Sequence, residues 1–419
     1  MKKETSENKY DYDVIVVGGG ASGLMAAGRS AELGKKVLLL EKNSKLGEKL
    51  KITGGGRCNI TNAEYNTRVL LKNFENAEQF LYSPFSQFGV KETFIFFEQR
   101  GMPFVIEPGK RAFPKTERSV DVINLLDNYL KEGKVTVKTK SQVSEIIKEK
   151  NIITGIKVGA KIFTAKSYII ATGGNSHPET GSTGDGFIWL SNLGHTVKSP
   201  TPTVVPLKVK ESWVKSLQGI SISDMKITFY IDGKKSFFKK GKLLFTHFGL
   251  SGPLILNSAG KVADLLHTGQ VTAKIDLYPN QDEAELEKFI IKTFDENKNK
   301  LFKNILSEIV PAGTDQAILS LVKEINSETK VHSITKENRR YLVSILKGLP
   351  VTIAGLMGLD RAVVADGGVI LSEIDTKTMR SKIIENLFVT GDLLHINRPS
   401  GGYSLQLCWT TGYVAGSNA

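Results

Sequence analysis

Apolar residues recur along this chain with three different rhythms, and the rhythm changes mark its parts. Residues 12–17 (YDVIVV) form a near-continuous apolar run, as expected of a strand buried on both faces. A small-residue segment with helical spacing follows to about Gly34, and a second apolar run occupies 37–40. Residues 63–133 read as helix and loop, and the last helix, 120–131, has apolar positions at Val120, Ile123, Leu126 and Leu130 before Gly133. From Lys134 the period shortens to that of strands, with β-like runs at 135–137, 142–147, 152–158, 161–164 and 168–171. Pro200, Pro202 and Pro206 punctuate a segment that reads as a linker and a domain boundary. Beyond it, 207–209, 220–222, 225–232, 236–238, 242–245 and 271–277 alternate like the strands of a small barrel, whereas 281–348 returns to helical periodicity. An apolar strand at 387–389 and a final helix opening at 401–406 close the chain.

The first rhythm change carries chemistry. Gly18, Gly20 and Gly23 stand at GxGxxG spacing between the first strand and the first helix, and Glu41 ends the second strand 18 positions after Gly23. Strand, glycines, helix, strand and acid in that order form the dinucleotide fingerprint. The diphosphate sits on free N–H groups at the positive end of the helix, and the acid meets the ribose hydroxyls. A carboxylate at 41 repels a 2′-phosphate, so FAD or NAD is expected rather than NADP. A second glycine-rich loop, Thr53-Gly-Gly-Gly56-Arg57-Cys58-Asn59, suits a flat polar ring or an anion and is not an ordinary part of a nicotinamide domain.

Composition narrows the classes. The 419 residues leave room for two or three domains. Two cysteines, Cys58 and Cys408, form no CxxC pair, which argues against a disulfide-relay enzyme and for a reducing cytoplasm. Residues 1–10 read as a disordered tail without a signal-peptide core, and no apolar run approaches the roughly 18 residues of a membrane span. The net charge of +13 is spread along the chain with no basic-aromatic module beside it, so nucleic acid is not expected as a partner.

The segments GGGASGLMAA, KLGEKLKITGGGRCNITN, ATGGNSHPETGSTGDG, HFGLSGP, TMRSKIIENLFVTGD and SGGYSLQ together resemble a family of bacterial FAD-dependent oxidoreductases, the one that includes the bile-acid-inducible flavoprotein and an aminoacetone oxidase. The resemblance runs from about Asp13 to Gly416. It implies an α/β fold: a glutathione-reductase-type Rossmann FAD-binding domain made of 11–195 and 355–419, an inserted β-barrel-like domain at 196–280, and a small helical subdomain at 281–354. FAD contacts are expected from Gly18, Gly20, Ala21, Ser22, Gly23, Glu41, Lys42, Lys49, Gly56, Arg57, Cys58, Val143, Ala171, Thr172, Gly173, Gly391, Asp392, Gly402, Tyr403 and Ser404. No metal is expected.

For catalysis the candidates are Arg57, Cys58, Asn59, His177 and His247, with Arg111 either facing the site or packed on Phe113. Three positions depart from the family: Asp392 stands where Glu is usual, His395 where an acid is usual, and Ser404 where Asn is usual. The activity implied is hydride transfer through flavin N5 to or from a small organic substrate, with NADH or NADPH as a transient donor because only one dinucleotide fingerprint is present. An oxidase of amines, an RNA-directed flavoenzyme and a non-catalytic flavin-binding protein stay open as alternatives.

Overall fold

The computed structural model describes residues 10–358, 362 and 364–419. Residues 1–9 of the expected tail lie outside them. The chain divides into two compact units, one formed up to Thr201 and again after Ala362, the other by Pro202–Ala362.

The first unit is built on a five-stranded parallel sheet in the order Leu387–Val389, Ala165–Ile170, Tyr12–Val17, Val37–Leu40, Thr136–Lys138. Val14, Ile15, Val16, Leu38 and Leu39 are wholly buried, which explains why the two first strands read as unbroken apolar runs. An antiparallel meander, Val143–Glu149, Ile152–Val158 and Lys161–Phe163, lies in sequence between the parallel strands Thr136–Lys138 and Ala165–Ile170. The helix Ala21–Glu32 leaves the glycine turn and packs against the C-terminal helix Tyr403–Asn418. Their contact is backbone-close: a Cβ on Gly412 would stand 2.4 Å from Ser22 O, and one on Gly416 2.4 Å from Ala26 O.

The supposed linker is a strand. Val197–Val204 pairs with Val364–Val369 in a two-stranded sheet. Its prolines are tolerated because each strand of a two-stranded sheet keeps an edge where an N–H is not needed.

The second unit contains a closed six-stranded antiparallel barrel: Leu207–Val209, Gly249–Ser251, Lys234–Thr246, Ser221–Ile231, Val271–Asp276 and Leu349–Leu356, which returns to the first. Here the domain reading of the sequence needs correction. Residues 281–354 do not stand apart as a helical subdomain, because Leu349, Val351 and Ile353 alternate inward as the closing strand. The helices Glu283–Glu296, Phe302–Ile309, Asp315–Leu321 and Lys336–Leu346 are an excursion between the fifth and sixth barrel strands. Leu286, Ile290, Phe302 and Leu346 share one hydrophobic core with Ile227, Phe229 and Phe245 of the barrel. A barrel without its last strand would expose two edges, which gives the chain reason to close it before leaving. Among the described residues no helix is long and apolar enough to cross a membrane.

Candidate functional site

The glycine turn sits at the carboxyl end of the central strand, where a parallel sheet presents its ligands. Gly18 adopts φ +107°, and a Cβ there would stand 2.5 Å from Ala171 O, so this turn crosses the end of the neighbouring strand at backbone distance. A Cβ on Gly23 would stand 1.8 Å from Gly18 O. Gly20 differs from both. Its φ of −85° suits any residue, and nothing lies within 4 Å of where its Cβ would be. The space above it is open, no side chain caps the helix Ala21–Glu32, and no acid occupies its first turn. An anion fits that combination of open space and free N–H groups.

Glu41 is buried, and its two oxygens accept hydrogen bonds from Gly19 N and Asn43 N, each at 2.7 Å. The carboxylate thereby fixes the glycine turn and keeps lone pairs for a further donor. Ala171, Thr172 and Gly173 leave the adjacent strand beside Gly18. Thr172 Oγ1 is buried with no hydrogen-bond partner among the described residues, a vacancy of the kind a bound ligand fills.

Two lysines expected at this site are placed differently. Lys42 Nζ binds Thr183 Oγ1 at 2.6 Å and Asp185 Oδ2 at 2.9 Å, so its charge is held at the start of the helix Asp185–Asn192. Lys49 Nζ is 3.3 Å from Ser176 Oγ, and burial holds its pKa below the ordinary lysine value against the opposing pull of Asp392. A desolvated ammonium without a full counter-charge is receptive to an anion.

The residue the sequence reading missed is Arg398. It is 3% exposed and gathers the end of the sheet onto the last helix: it pairs with Asp392, donates through Nη1 to Ile396 O at 2.8 Å and through Nε to Ser404 Oγ at 3.0 Å. Arg398 is the single Lys or Arg between 393 and 419, but isolation alone does not mark an arginine as buried. Asp392 and Ser404, two of the departures from the family pattern, thus act on one guanidinium. His395, the third, has its Nδ1 buried 3.1 Å from Asp366 Oδ1 but outside hydrogen-bonding geometry. Gly391 N donates to Thr411 Oγ1 at 3.0 Å, and Gly402, at φ +99°, starts the helix Tyr403–Asn418 with no side-chain cap. This is a second helix N-terminus with free N–H groups.

The GGGRCN loop reaches the same helix start. With the Asn59 amide oriented to suit its neighbours, its oxygen accepts from Gly402 N at 3.0 Å and its nitrogen donates to Thr61 O and Ala112 O. Nothing lies within 4 Å of a Cβ on Gly56. Arg57 stacks 4.1 Å from the Phe113 ring centroid and binds Glu107 at 2.7 Å and Glu117 at 3.0 Å. Arg111 shares Glu107, at 3.0 Å, and lies 5.8 Å from the same ring. Glu107 stabilises the charged form of Arg57 and raises its pKa. Cys58 is wholly buried at φ +62°, and burial pushes its thiol up to about 12; Cys408 is likewise pushed to about 12. Neither is a thiolate at neutral pH.

Three further candidates are His177, His247 and Val143. His177 Nδ1 is 2.8 Å from Glu179 Oε1. His247 is exposed, belongs to the second unit and stands edge-on to Phe248 at 4.9 Å. Val143 is buried at the start of the meander. Among the described residues no cluster of His, Cys, Asp and Glu could hold a metal ion.

Comparison with known proteins gives a consistent picture. The family described as HI0933-like protein Rossmann domain matches residues 12–418. A 3-dehydro-bile acid delta(4,6)-reductase of Clostridium scindens is 29% identical over 408 residues, covering 96% of this chain and 98% of that protein. A ribosomal RNA dihydrouridine synthase of Haemophilus influenzae is 27% identical over 405 residues, covering 96% of each. The 3-ketosteroid delta1-dehydrogenase of Sterolibacterium denitrificans shares the fold, with a TM-score of 0.53 at 14% identity over 97% of this chain and 98% of that one. With a match spanning nearly every residue from the first strand to the last helix, this chain belongs to the HI0933-like family of FAD-dependent oxidoreductases.

Proposed function

We propose that this flavoenzyme is a reductase of carbon–carbon double bonds conjugated to a carbonyl. One observation carries the reading. Two relatives, each aligned along 96% of this chain, are named for reductions of that type on unlike molecules. A steroid 4,6-dien-3-one and the uracil ring of uridine both present an alkene conjugated to C=O. In each, hydride added at the far carbon sends negative charge to the carbonyl oxygen, and a proton completes the product.

The residues of the first unit fit the cofactor such a reaction needs. The N–H groups at Gly20, Ala21 and Ser22, with the Ala171–Gly173 turn, would hold the diphosphate, and Glu41 the ribose. Lys49 would supply a compensating cation. Asp392, fixed by Arg398, would accept from the ribitol hydroxyls, and Tyr403 and Ser404 would open the helix that faces the flavin. When bound and reduced by an electron donor, FAD would supply the electron pair as hydride from N5. The uncapped start of the helix Tyr403–Asn418 would offer partial positive charge to a flavin that gains negative charge on reduction. Arg57, held between Glu107 and Phe113, offers a fixed cation on the GGGRCN loop for a polarised carbonyl. NADH or NADPH would bind transiently as donor.

The test is anaerobic. Dithionite-reduced, FAD-loaded protein is mixed with a steroid 4,6-dien-3-one, a uridine-containing RNA transcript, or a saturated 3-ketosteroid. The reading predicts stoichiometric flavin reoxidation by at least one conjugated substrate and none by the saturated ketone. Flavin that stays reduced with every conjugated substrate and is reoxidised only when air is then admitted would refute it and support an oxidase.

A further inference from the structure

The hairpin of the barrel formed by Ser221–Ile231 and Lys234–Thr246 has a surface that the reductase chemistry does not use. Residues 234–242 read Lys-Lys-Ser-Phe-Phe-Lys-Lys-Gly-Lys, and from 233 to 263 the chain has no Asp or Glu. Lys234, Lys235, Lys239, Lys240 and Lys242 are all exposed, and none is paired with a carboxylate among the described residues.

Register puts much of this charge on one face. Lys226 pairs with Lys240, Thr228 with Phe238, and Tyr230 with Lys235 across the hairpin, and Lys274 lies beside Thr228 on the next strand. Ile227 and Phe229, which alternate with these residues along the strand, are buried and point the other way, into the barrel. Phe238 is 51% exposed, a large ring left in water on a strand of cations. Lys226 and Lys235 lie over it at 5.4 and 5.7 Å, and Lys274 lies over Tyr230 at 5.8 Å.

The nearby acids do not neutralise this face. Asp276 is buried and bound to Lys347 at 2.9 Å, Asp232 caps the hairpin turn by accepting from Gln270 N, and Asp224 sits at the bulge.

We infer that this face of the barrel binds single-stranded RNA, with the lysines on phosphates and Phe238 as a platform for a base. Cations flanking an exposed ring are what a strand of stacked bases and regular negative charge recognises. A lipid surface would instead ask for a broad apolar face to bury, and here one ring is clasped between two ammoniums. The surface also corrects the expectation from sequence that no basic-aromatic module accompanies the charge. The inference rests on the reductase reading only in giving RNA a use, because binding is measurable without turnover.

The experiment uses FAD-loaded full-length protein and a fluorescein-labelled, uridine-rich single-stranded RNA of about 20 nucleotides, with binding followed by anisotropy across a salt series. The triple variant Lys235→Ala/Lys240→Ala/Lys242→Ala should bind at least about tenfold more weakly at low salt and flatten the slope of log K against log salt by about 2, since each lost phosphate contact removes about 0.7. Phe238→Ala should weaken binding roughly tenfold and leave the slope unchanged, because a stacked base is uncharged. A circular-dichroism spectrum and a melting profile matching those of the native protein verify the barrel fold in each variant. Equal affinity and slope in native protein and variants would overturn the inference. So would binding to phosphatidylglycerol vesicles through these lysines with no binding to RNA.

Discussion

Gly20 shows how a single position can report on ligand binding without disturbing the fold. An alanine there meets no atom and needs no unusual φ, so Gly20→Ala should cost stability about 1 kcal/mol or less. The same methyl stands in the space assigned to the diphosphate, so FAD should bind at least about tenfold more weakly in a flavin titration. Gly18→Ala is the contrasting control: with φ +107° and a backbone oxygen at 2.5 Å, it should lower the melting midpoint of the cofactor-free protein as well. Lys49 gives a pH signature. Its pKa in the cofactor-free fold is below the ordinary 10.5, so between the two values the unfolded chain holds the extra proton and cofactor-free stability rises with pH. A diphosphate nearby would pull that proton back. FAD affinity should therefore fall as pH rises through the lowered value, and Lys49→Met should flatten the dependence. A pH-independent affinity in the native protein would remove Lys49 from the site. The glycines and Glu41 were legible because a fingerprint fixes both their order and their spacing. Arg398 was not, because a lone arginine declares its burial only when Asp392, Ile396 and Ser404 fold around it.

Among the elements, the contact between the first and last helices holds the two uncapped N-termini on one scaffold. Gly412 and Gly416 are spaced one helical turn apart and face Ser22 and Ala26. Gly412→Leu must push the helices apart, and overpacking of this kind costs about 1–3 kcal/mol. The expected result is a lower melting midpoint together with weaker FAD binding, since both helix starts move. A stable variant with native FAD affinity would show that the helices tolerate separation. Most elements of the first unit were readable, because buried parallel strands are apolar throughout and their helices keep a 3.6-residue period. The strand Val197–Val204 was hidden by its prolines, whose ladder partner lies more than 160 residues further on. The closing barrel strand Leu349–Leu356 was hidden differently. Local pattern cannot tell which sheet a strand joins, and its partners Val271–Asp276 and Leu207–Val209 lie across the whole helical excursion.

At the scale of the molecule there are two hydrophobic cores, one around the parallel sheet and one shared by the barrel and its helices. Calorimetry should resolve two transitions. FAD should raise the one belonging to the unit with the glycine turn, by about 2.7 kcal/mol at a concentration 100 times Kd. A single transition would mean that the cores unfold together. The charge of +13 also acts at this scale, and it gains a location once the lysines of the barrel hairpin are seen on one face.

The claim on which the rest depends is that this chain holds FAD and passes electrons through it to a conjugated double bond. The most direct measurement is the anaerobic absorption spectrum of FAD-reconstituted protein, recorded alone, after NADH or NADPH, and after a conjugated enone. The account predicts a band near roughly 450 nm that bleaches with a nicotinamide donor and returns when the enone is added. Protein that retains no flavin after reconstitution, or reduced flavin that neither the enone nor uridine-containing RNA can reoxidise, would contradict it.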